Sequence, residues 1–428
     1  MTMAADKQDK VLNFSSEREQ SGACSSSAER EKNQGKNFLN VPTLRFPEFR
    51  GEWQKERLKD KCSFFSGGTP SSTNKAYYDG DIPFIRSGEI ALDSTELFLS
   101  ESGLNNSSAK IVEKGDLLLA LYGATSGQIA ISQIKGAINQ AILCIRSPYD
   151  KFFLKSAWEK RVDKILQAYL QGGQGNLSAE IVKNLSFYFP SSQEQSKIGQ
   201  LILLIDERIT TQIRIIEKLQ SLMKGLNDYL QNSVPLSYSL SFSAIGEDYS
   251  GLSGKSAEDF DSGKPYITYV SIYANSFVDD DSCGKVSVER GEKQNVVQEG
   301  DMLFTLSSET PEEVCYGAVY SGNSTETYLN SFCFGVRNTE GKVFSPYMAY
   351  FFNSSRFRRE VFPLAQGSTR FNLQKSDFLQ KQFSYPSIDD QHRIFKILNT
   401  YDNKLKVENQ ILAHYQHQKE FLLRNLFI

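Results

Sequence analysis

The sequence predicts an α+β protein written twice: two β-rich domains in tandem pseudo-twofold repeat, each followed by a long helix, the two helices pairing as an antiparallel coiled coil. Three observations predict it. Residues 171–230 align with 367–426 at a constant offset of 196 without a gap, so that Asn176-Leu177 faces Asn372-Leu373, Pro190 faces Pro386, Gln195 faces Gln391 and Asp206 faces Asp402. Before each aligned stretch, short β-branched and aromatic runs are broken by Gly, Asn, Ser and Asp. After each proline the apolar period lengthens to alternating three- and four-residue steps.

Residues 1–40 are rich in Ser, Glu, Lys and Gln with few apolar anchors, and read as a disordered leader. Order is expected to begin in Val41 to Trp53, where Leu44, Phe46, Phe49 and Trp53 can dock on a core. The first β-rich domain spans 41–190, with strand runs in Asp116 to Gly123 and Ile138 to Arg146. A helical region follows at 191–235, its apolar stripe running from Ile198 through Ile205, Ile216 and Met223 to Leu230. The second domain spans 236–386 and echoes the first with shifted offsets. VEKGDLLLALYGA (Val112 to Ala124) resembles VQEGDMLFTLSSE (Val297 to Glu309), and DIPFI (Asp81 to Ile85) resembles KPYITY (Lys264 to Tyr269). Lys264 to Tyr273 reads as a strand. The C-terminal region 387–428 repeats the stripe from Ile394 to Leu426, broken by Asn409 and Lys419, which suits either register setting in the helix pair or a partner's helices completing the bundle. Each stripe covers about 35 residues, or about 50 Å of helix. Pro190 and Pro386 stand where a strand hands over to a helix, a place proline tolerates in the first turn.

Composition narrows the function. No run approaches the ~20 apolar residues of a membrane span. The N-terminus has no secretory core, and the 6 cysteines are scattered without a CxxC pair. A soluble cytoplasmic protein is expected. Lys+Arg 48 against Asp+Glu 51 gives a net charge of −3. Residues 41–235 carry 23 basic and 21 acidic groups, and 236–428 carry 19 and 24, so the second half alone is at −5. A chain like this grips DNA only through local patches, or with a partner neutralising much of the phosphate. GxGxxG after a strand, GxxxxGK[ST], GxSxG and an Asn-Pro-Pro type motif are all absent. His414 and His417 have helical spacing but no further ligand nearby, and Asp279-Asp280-Asp281 lacks EF-hand spacing. No catalytic or metal site is expected. What remains is a binding architecture: two modules on two equal rods, which suits two half-sites at fixed separation.

Several pieces of the chain carry a family resemblance. LRFPEFRGEW and SGGTPSSTNKAYYDGDIPFIRSGEI (Ser66 to Ile90) open the first unit, and GLSGKSAEDFDSGKPYITYVSIY (Gly251 to Tyr273) opens the second. FP…EQSKI (Phe189 to Ile198) and YP…DQHRI (Tyr385 to Ile394) lead into the helices. In that order, and duplicated, they resemble the specificity subunit of Type I restriction–modification systems over nearly all of 41–428. The leader and the Asp389-Asp390-Gln391 variant of the helix start depart from the pattern. The resemblance implies two target recognition domains on double-stranded DNA, reading a bipartite, asymmetric sequence, and no enzymatic activity or cofactor in this chain. It also implies two adenine methyltransferase subunits using S-adenosylmethionine, and two motor–nuclease subunits using ATP and Mg. A non-catalytic scaffold presenting two protein-binding modules on a coiled coil is the rival reading, and a single-chain transcription regulator is a third.

Base edges are read by Arg, Lys, Asn, Gln, Ser or Thr on loops, with aromatic residues against the backbone or thymine methyls. In the first unit this selects Thr69, Ser71, Lys75, Tyr77, Arg86, Ser87, Thr125, Ser126 and the turn Gln171 to Asn176, with Gln174 and Asn176 foremost. In the second it selects Lys255, Tyr269, Ser271 and the loop of Gln366, Ser368, Thr369 and Arg370. Structural duties compete: Arg86 could pair with Asp79 or Asp81, and Asn176 and Asn372 could cap the next helix. Arg356, Arg358 and Arg359 suit either phosphate contact or an exposed helix face.

Overall fold

The computed structural model of the chain describes residues 40–170 and 177–428. The segment read as a disordered leader lies outside the described residues except for Asn40.

Each half is closed by a two-stranded clasp that joins its beginning to its end. Gln54–Arg57 pairs antiparallel with Ser186–Phe189, and Leu236–Leu240 pairs antiparallel with Phe383–Pro386. Each clasp delivers the chain to a long helix, Ser192–Ser233 or Ile388–Leu426. Ser191 and Ser387 cap these rods, accepting from the backbone N–H of Glu194 at 3.3 Å and of Asp390 at 3.2 Å. The serines take the cap, so Pro190 and Pro386 stand just before it and not in the first turn as the sequence suggested. A buried glutamine one turn in ties each rod to its domain. Gln195 donates to the Pro190 carbonyl at 2.9 Å and accepts from Asp150 N–H at 3.1 Å. Gln391 donates to the Pro386 carbonyl at 3.0 Å and accepts from Phe344 N–H at 2.9 Å.

Between clasp ends, the halves share a sheet plan. Ser63–Ser66, Ile142–Arg146, Leu117–Ala120 and Ile129–Ile131 form one antiparallel sheet in that order. Its counterpart runs Glu247–Ser250, Cys333–Arg337, Met302–Thr305, Gly317–Tyr320, with Phe277–Val278 added in parallel at the edge. Leu117–Ala120 and Met302–Thr305 are buried along their whole length, which is why they read as unbroken apolar runs. A second sheet in each half is built on a parallel pair: Ile82–Ile85 beside Gly136–Ile138, and Phe260–Ile267 beside Tyr328–Leu329. The predicted strand over Lys264 to Tyr273 stops at Ile267. Thr268 accepts from Ser271 N–H at 3.0 Å and caps a helix, Tyr269–Ala274, so a local cap overrides the β propensity of that run.

The rods are 42 and 39 residues long, or about 60 Å. They run antiparallel: Leu422 and Leu426 enter the core of the first half, and Leu226 and Leu230 pack on that of the second. Asp206 meets Lys419 at 2.7 Å, and Gln212 donates to Glu408 at 2.7 Å through the side chain and 3.0 Å to its carbonyl. Gln212 and Glu408 are separated by 196 residues, the offset of the repeat itself. A residue that meets its own counterpart lies on the pseudo-twofold axis, so this pair marks it. The chain closes on itself beyond the rod. Phe427 packs against Trp53 and Phe153, and Leu44 N–H donates to the Asn425 carbonyl at 2.9 Å. The Arg45 guanidinium grips buried Glu194 at 2.8 and 2.7 Å, and this charged hydrogen bond keeps Arg45 protonated against the opposing effect of its partial burial; Trp53 Nε1 donates to the same carboxylate at 3.4 Å.

Candidate functional site

Two parallel strands leave their sheet at the same end, so the loops that follow them gather there. In the first half Ile85 and Ile138 are paired, and beyond them come Arg86 to Gly88 and Asn139 to Ala141. Leu121 N–H donates to the Ala141 carbonyl at 2.8 Å, bringing the turn Gly123–Thr125 alongside. Gly67 N–H donates to the Asn139 carbonyl at 3.3 Å, and Thr69 Oγ1 donates to Gln140 Oε1 at 2.6 Å. Ser126 Oγ holds the Leu121 carbonyl at 2.9 Å. Thr69, Arg86, Ser87, Thr125 and Ser126 therefore share one rim.

The other candidates of this half lie elsewhere. Lys75 and Tyr77 are on the turn Lys75–Tyr78, where Ser100 N–H donates to the Tyr77 carbonyl at 3.0 Å. Ser100 follows Leu99, the partner of Ile82. That is the opposite end of the strand from Arg86, about 10 Å away. Ser71 hydrogen-bonds Thr73 at 2.8 Å in the segment leading there. Gln174, Asn176 and the rest of the turn from Gln171 lie outside the described residues.

Arg86 pairs with neither Asp79 nor Asp81. Its guanidinium takes Glu89 at 2.8 and 3.1 Å and Glu96 at 2.5 Å. Glu89 is buried and also accepts from the Arg86 and Glu96 backbone and from Thr95. Burial pushes this carboxyl up, but the Arg86 side chain and these donors together bring it to about 2. Arg86 is thus a fixed cation on the rim, and its outer partner Glu96 is exposed.

In the second half Ile267 and Leu329 are paired, followed by Thr268 to Val270 and Asn330 to Phe332. Leu306 N–H donates to the Phe332 carbonyl at 2.9 Å and Leu373 N–H to the Leu306 carbonyl at 2.8 Å. Leu121 makes the same two bonds in the first half, with Leu177 N–H at 3.0 Å in place of Leu373. Tyr269 is on this second rim, its hydroxyl donating to the Ser307 carbonyl at 2.6 Å. A hairpin of Ala365–Gln366 and Phe371–Leu373 pairs onward to Ser307–Ser308. Its tip exposes Ser368, Thr369 and Arg370 after Gly367, whose φ of +135° suits glycine alone. Arg370 has no carboxylate partner among the described residues. Lys255 lies on the loop after Leu252, which bonds the Leu329 carbonyl, and is ion-paired to Glu292 at 2.6 Å.

Some sequence candidates turn inward. Ser271 is buried with its hydroxyl on the Ser282 carbonyl at 2.6 Å. Asn372 caps nothing: it is in the strand Phe371–Leu373, and the caps of the next helices fall on Ser178 and Gln374. Arg358 spends its guanidinium on the carbonyls of Glu312, Val314 and Cys315, and Arg356 holds the Ser384 carbonyl and Glu360. Of the three arginines only Arg359 is exposed. The rims also hold Tyr122, Gln140, Val270 and Phe332, which the sequence reading did not select. Matching Asn139 to Asn330 within the repeat is the signal that finds Gln140 and Phe332. Among the described residues no group of His, Cys, Asp and Glu could hold a metal ion, and no helix is long and apolar enough to cross a membrane.

The fold and its two rims define a class: a duplicated recognition protein that carries two equivalent loop clusters on a fixed helical frame. The chain matches the family model of the type I restriction modification DNA specificity domain twice, over residues 50–221 and 251–414. It belongs to that family, a family of non-catalytic DNA-recognition subunits. It is similar to the type I restriction enzyme MjaIX specificity subunit of Methanocaldococcus jannaschii, 28% identical over 182 residues, 39% of this chain and 42% of that one. It is also similar to the HindI specificity subunit of Haemophilus influenzae, 26% identical over 151 residues, 33% of this chain and 32% of that one. The chain thus spans less than half the length of these curated relatives. Two solved structures share its fold. One is the S subunit of a type I restriction–modification system from M. genitalium, with TM-score 0.56, 15% identity, and coverage of 91% of this chain and 99% of that one. The other comes from work on complex assembly of the type I R-M system, with TM-score 0.52, 14% identity, and coverage of 87% and 96%.

Proposed function

We propose that this chain reads a bipartite, asymmetric DNA sequence, one half-site per rim, and docks the adenine methyltransferase and motor–nuclease subunits of a type I restriction–modification complex. The observation that carries the reading is the pair of equivalent rims, each on the outgoing ends of a parallel strand pair, related by an axis at Gln212 and Glu408. Different loops on one frame suit two different half-sequences at one separation. In the first half, Thr69, Arg86, Ser87 and Thr125 are the readers, and in the second Tyr269, Ser368, Thr369 and Arg370. The −5 balance of residues 236–428 fits a complex in which other subunits neutralise much of the phosphate charge.

Long-read sequencing of adenine methylation tests this, with the chain co-expressed with its methyltransferase and then omitted. A split motif present only with the chain is expected; its absence from an assembled complex would move the reading to a protein-binding scaffold. Exchanging residues 41–190 for those of a relative should change one half of the motif only. Inserting one heptad in each rod should leave both half-sequences intact and lengthen the spacer by about 3 base pairs.

A further inference from the structure

The two rims are built on the same turn and differ in what that turn presents. Asn139 and Asn330 follow the paired residues Ile138 and Leu329. Their side-chain oxygens accept from Ala141 N–H at 3.1 Å and from Phe332 N–H at 2.9 Å. Their carbonyls accept from Ile142 N–H at 3.3 Å and from Cys333 N–H at 3.0 Å. Three residues beyond each paired strand end, the first half places Gly88 and Ala141. At the same two places the second half has Val270 and Phe332.

Val270 is 67% exposed and Phe332 is 62% exposed. Ala141 makes the equivalent turn, so the turn does not require a ring. A phenyl and a branched alkyl group left in water forgo the burial that such side chains otherwise gain. Phe332 is also rigidly based, its N–H held by Asn330 and its carbonyl by Leu306. The segment Leu306-Ser307 links the two positions: Leu306 N–H holds the Phe332 carbonyl, the Ser307 carbonyl takes the hydroxyl of Tyr269, the neighbour of Val270, and the strand continues into the hairpin with Ser368 to Arg370 at its tip. The apolar pair is therefore continuous with the polar groups of the second rim.

On the base edges of duplex DNA, the apolar group facing the major groove is the 5-methyl of thymine. We propose that Val270 and Phe332 form an apolar reading edge that contacts thymine 5-methyl groups in the half-site met by the second half. The first half, with Gly88 and Ala141 at those places, makes no such contact. The inference rests on the reading of the chain as a DNA-sequence reader.

The test uses the full chain assembled with its methyltransferase subunits, and a duplex carrying the motif that methylation sequencing defines. Each thymine is replaced in turn by deoxyuridine, which removes the 5-methyl and nothing else, and affinity is measured by competition. Binding about three- to fivefold weaker is expected at one or more thymines of the second half-site, the worth of one buried methyl. Phe332→Ala should lose that discrimination, and Phe332→Leu, which keeps an apolar group, should retain most of it. Deoxyuridine in the first half-site should give a profile that Phe332→Ala leaves unchanged.

An unchanged deoxyuridine profile in Phe332→Ala overturns the proposal, as does a second half-site without A·T pairs. Equal weakening of every duplex by Phe332→Ala would make the ring structural and also overturns it. Weaker binding with loss of DNA bending, and no deoxyuridine effect, would instead make the ring a wedge between base steps. Loss of sequence preference at both half-sites in the native complex would sink the DNA-reading function itself, an outcome distinct from failure of the apolar edge alone.

Discussion

At Asp206 and Asp402, equivalent positions on the two rods, the molecule builds different things. Asp206 sits between Lys155 at 2.9 Å and Lys419 at 2.7 Å, and Glu159 reaches both lysines, at 2.6 and 3.0 Å. Burial raises the Asp206 carboxyl, but the two lysines overcome it and hold it below the usual range. Among the described residues, Asp402 pairs only with Lys406 on its own helix, at 3.8 Å. The second half is filled with aromatic rings instead: Phe304 stacks on Phe334 with centroids 5.2 Å apart and meets the edges of Phe242, Phe352 and Phe378. What both halves keep is the frame: serine caps, buried glutamines, clasps and parallel strand pairs. The comparison teaches that the repeat preserves the backbone's hydrogen-bonding obligations, which have few solutions. Packing and ion pairs have many solutions, and there the halves have drifted apart.

The largest effect should come from the aromatic core. Phe304→Ala leaves a cavity among four rings and should destabilise the second half by about 3–5 kcal/mol. Urea denaturation followed by hydrogen exchange should show the loss in 302–337 with little change in 117–146. An equal loss in both halves would mean that they unfold as one unit.

The two aspartates give the sharpest contrast. Asp206→Ala leaves Lys155 and Lys419 to share the single carboxylate of Glu159 at the meeting of rod and domain, and should cost about 2–4 kcal/mol. Asp402→Ala removes one weak i,i+4 pair and should cost less than about 0.5 kcal/mol. Similar midpoints for the two variants in chemical denaturation would show that the network contributes no more than a surface pair. The glutamines predict the opposite outcome, symmetry. Gln195→Ala and Gln391→Ala each orphan a buried N–H and a carbonyl, and each should cost about 1–3 kcal/mol, equal within error.

This division also explains what could be read in advance. The offset of 196 is visible because Gln195, Gln391 and the prolines beside the caps serve the frame, and the frame repeats residue for residue. The antiparallel pairing was legible from the two stripes. Lys419, which breaks the second stripe, proves to be the residue that meets Asp206. The helix over Tyr269–Ala274 was not legible, because four β-favouring residues, Tyr269, Val270, Ile272 and Tyr273, outvote one capping threonine when counted by propensity. The rims were half legible. Arg86, Thr69 and Thr125 stand out as polar loop residues, but burial of Ser271 and the carbonyl contacts of Arg358 depend on segments distant in sequence. Phe332 and Val270 do not stand out in the sequence, because apolar residues in a loop carry no polar signal.

The smallest effect is one of pH, and it belongs to the first rim alone. Glu89 is held ionised down to about 2 against an ordinary 4.5. Between those values the unfolded chain takes up the proton first. Its contribution to stability is therefore complete above 4.5 and is lost as pH falls toward 2. The second rim has no buried carboxylate at the matching place, since Ser271 follows Val270 where Glu89 follows Gly88. Glu89→Gln should flatten the acid limb of the first half's stability, read as urea midpoint against pH from about 5 to 2, and leave the second half's limb unchanged. An unaltered acid limb in the first half would mean that Arg86 is held by Glu96 and the backbone alone, and that the carboxylate beneath the rim does not set its shape.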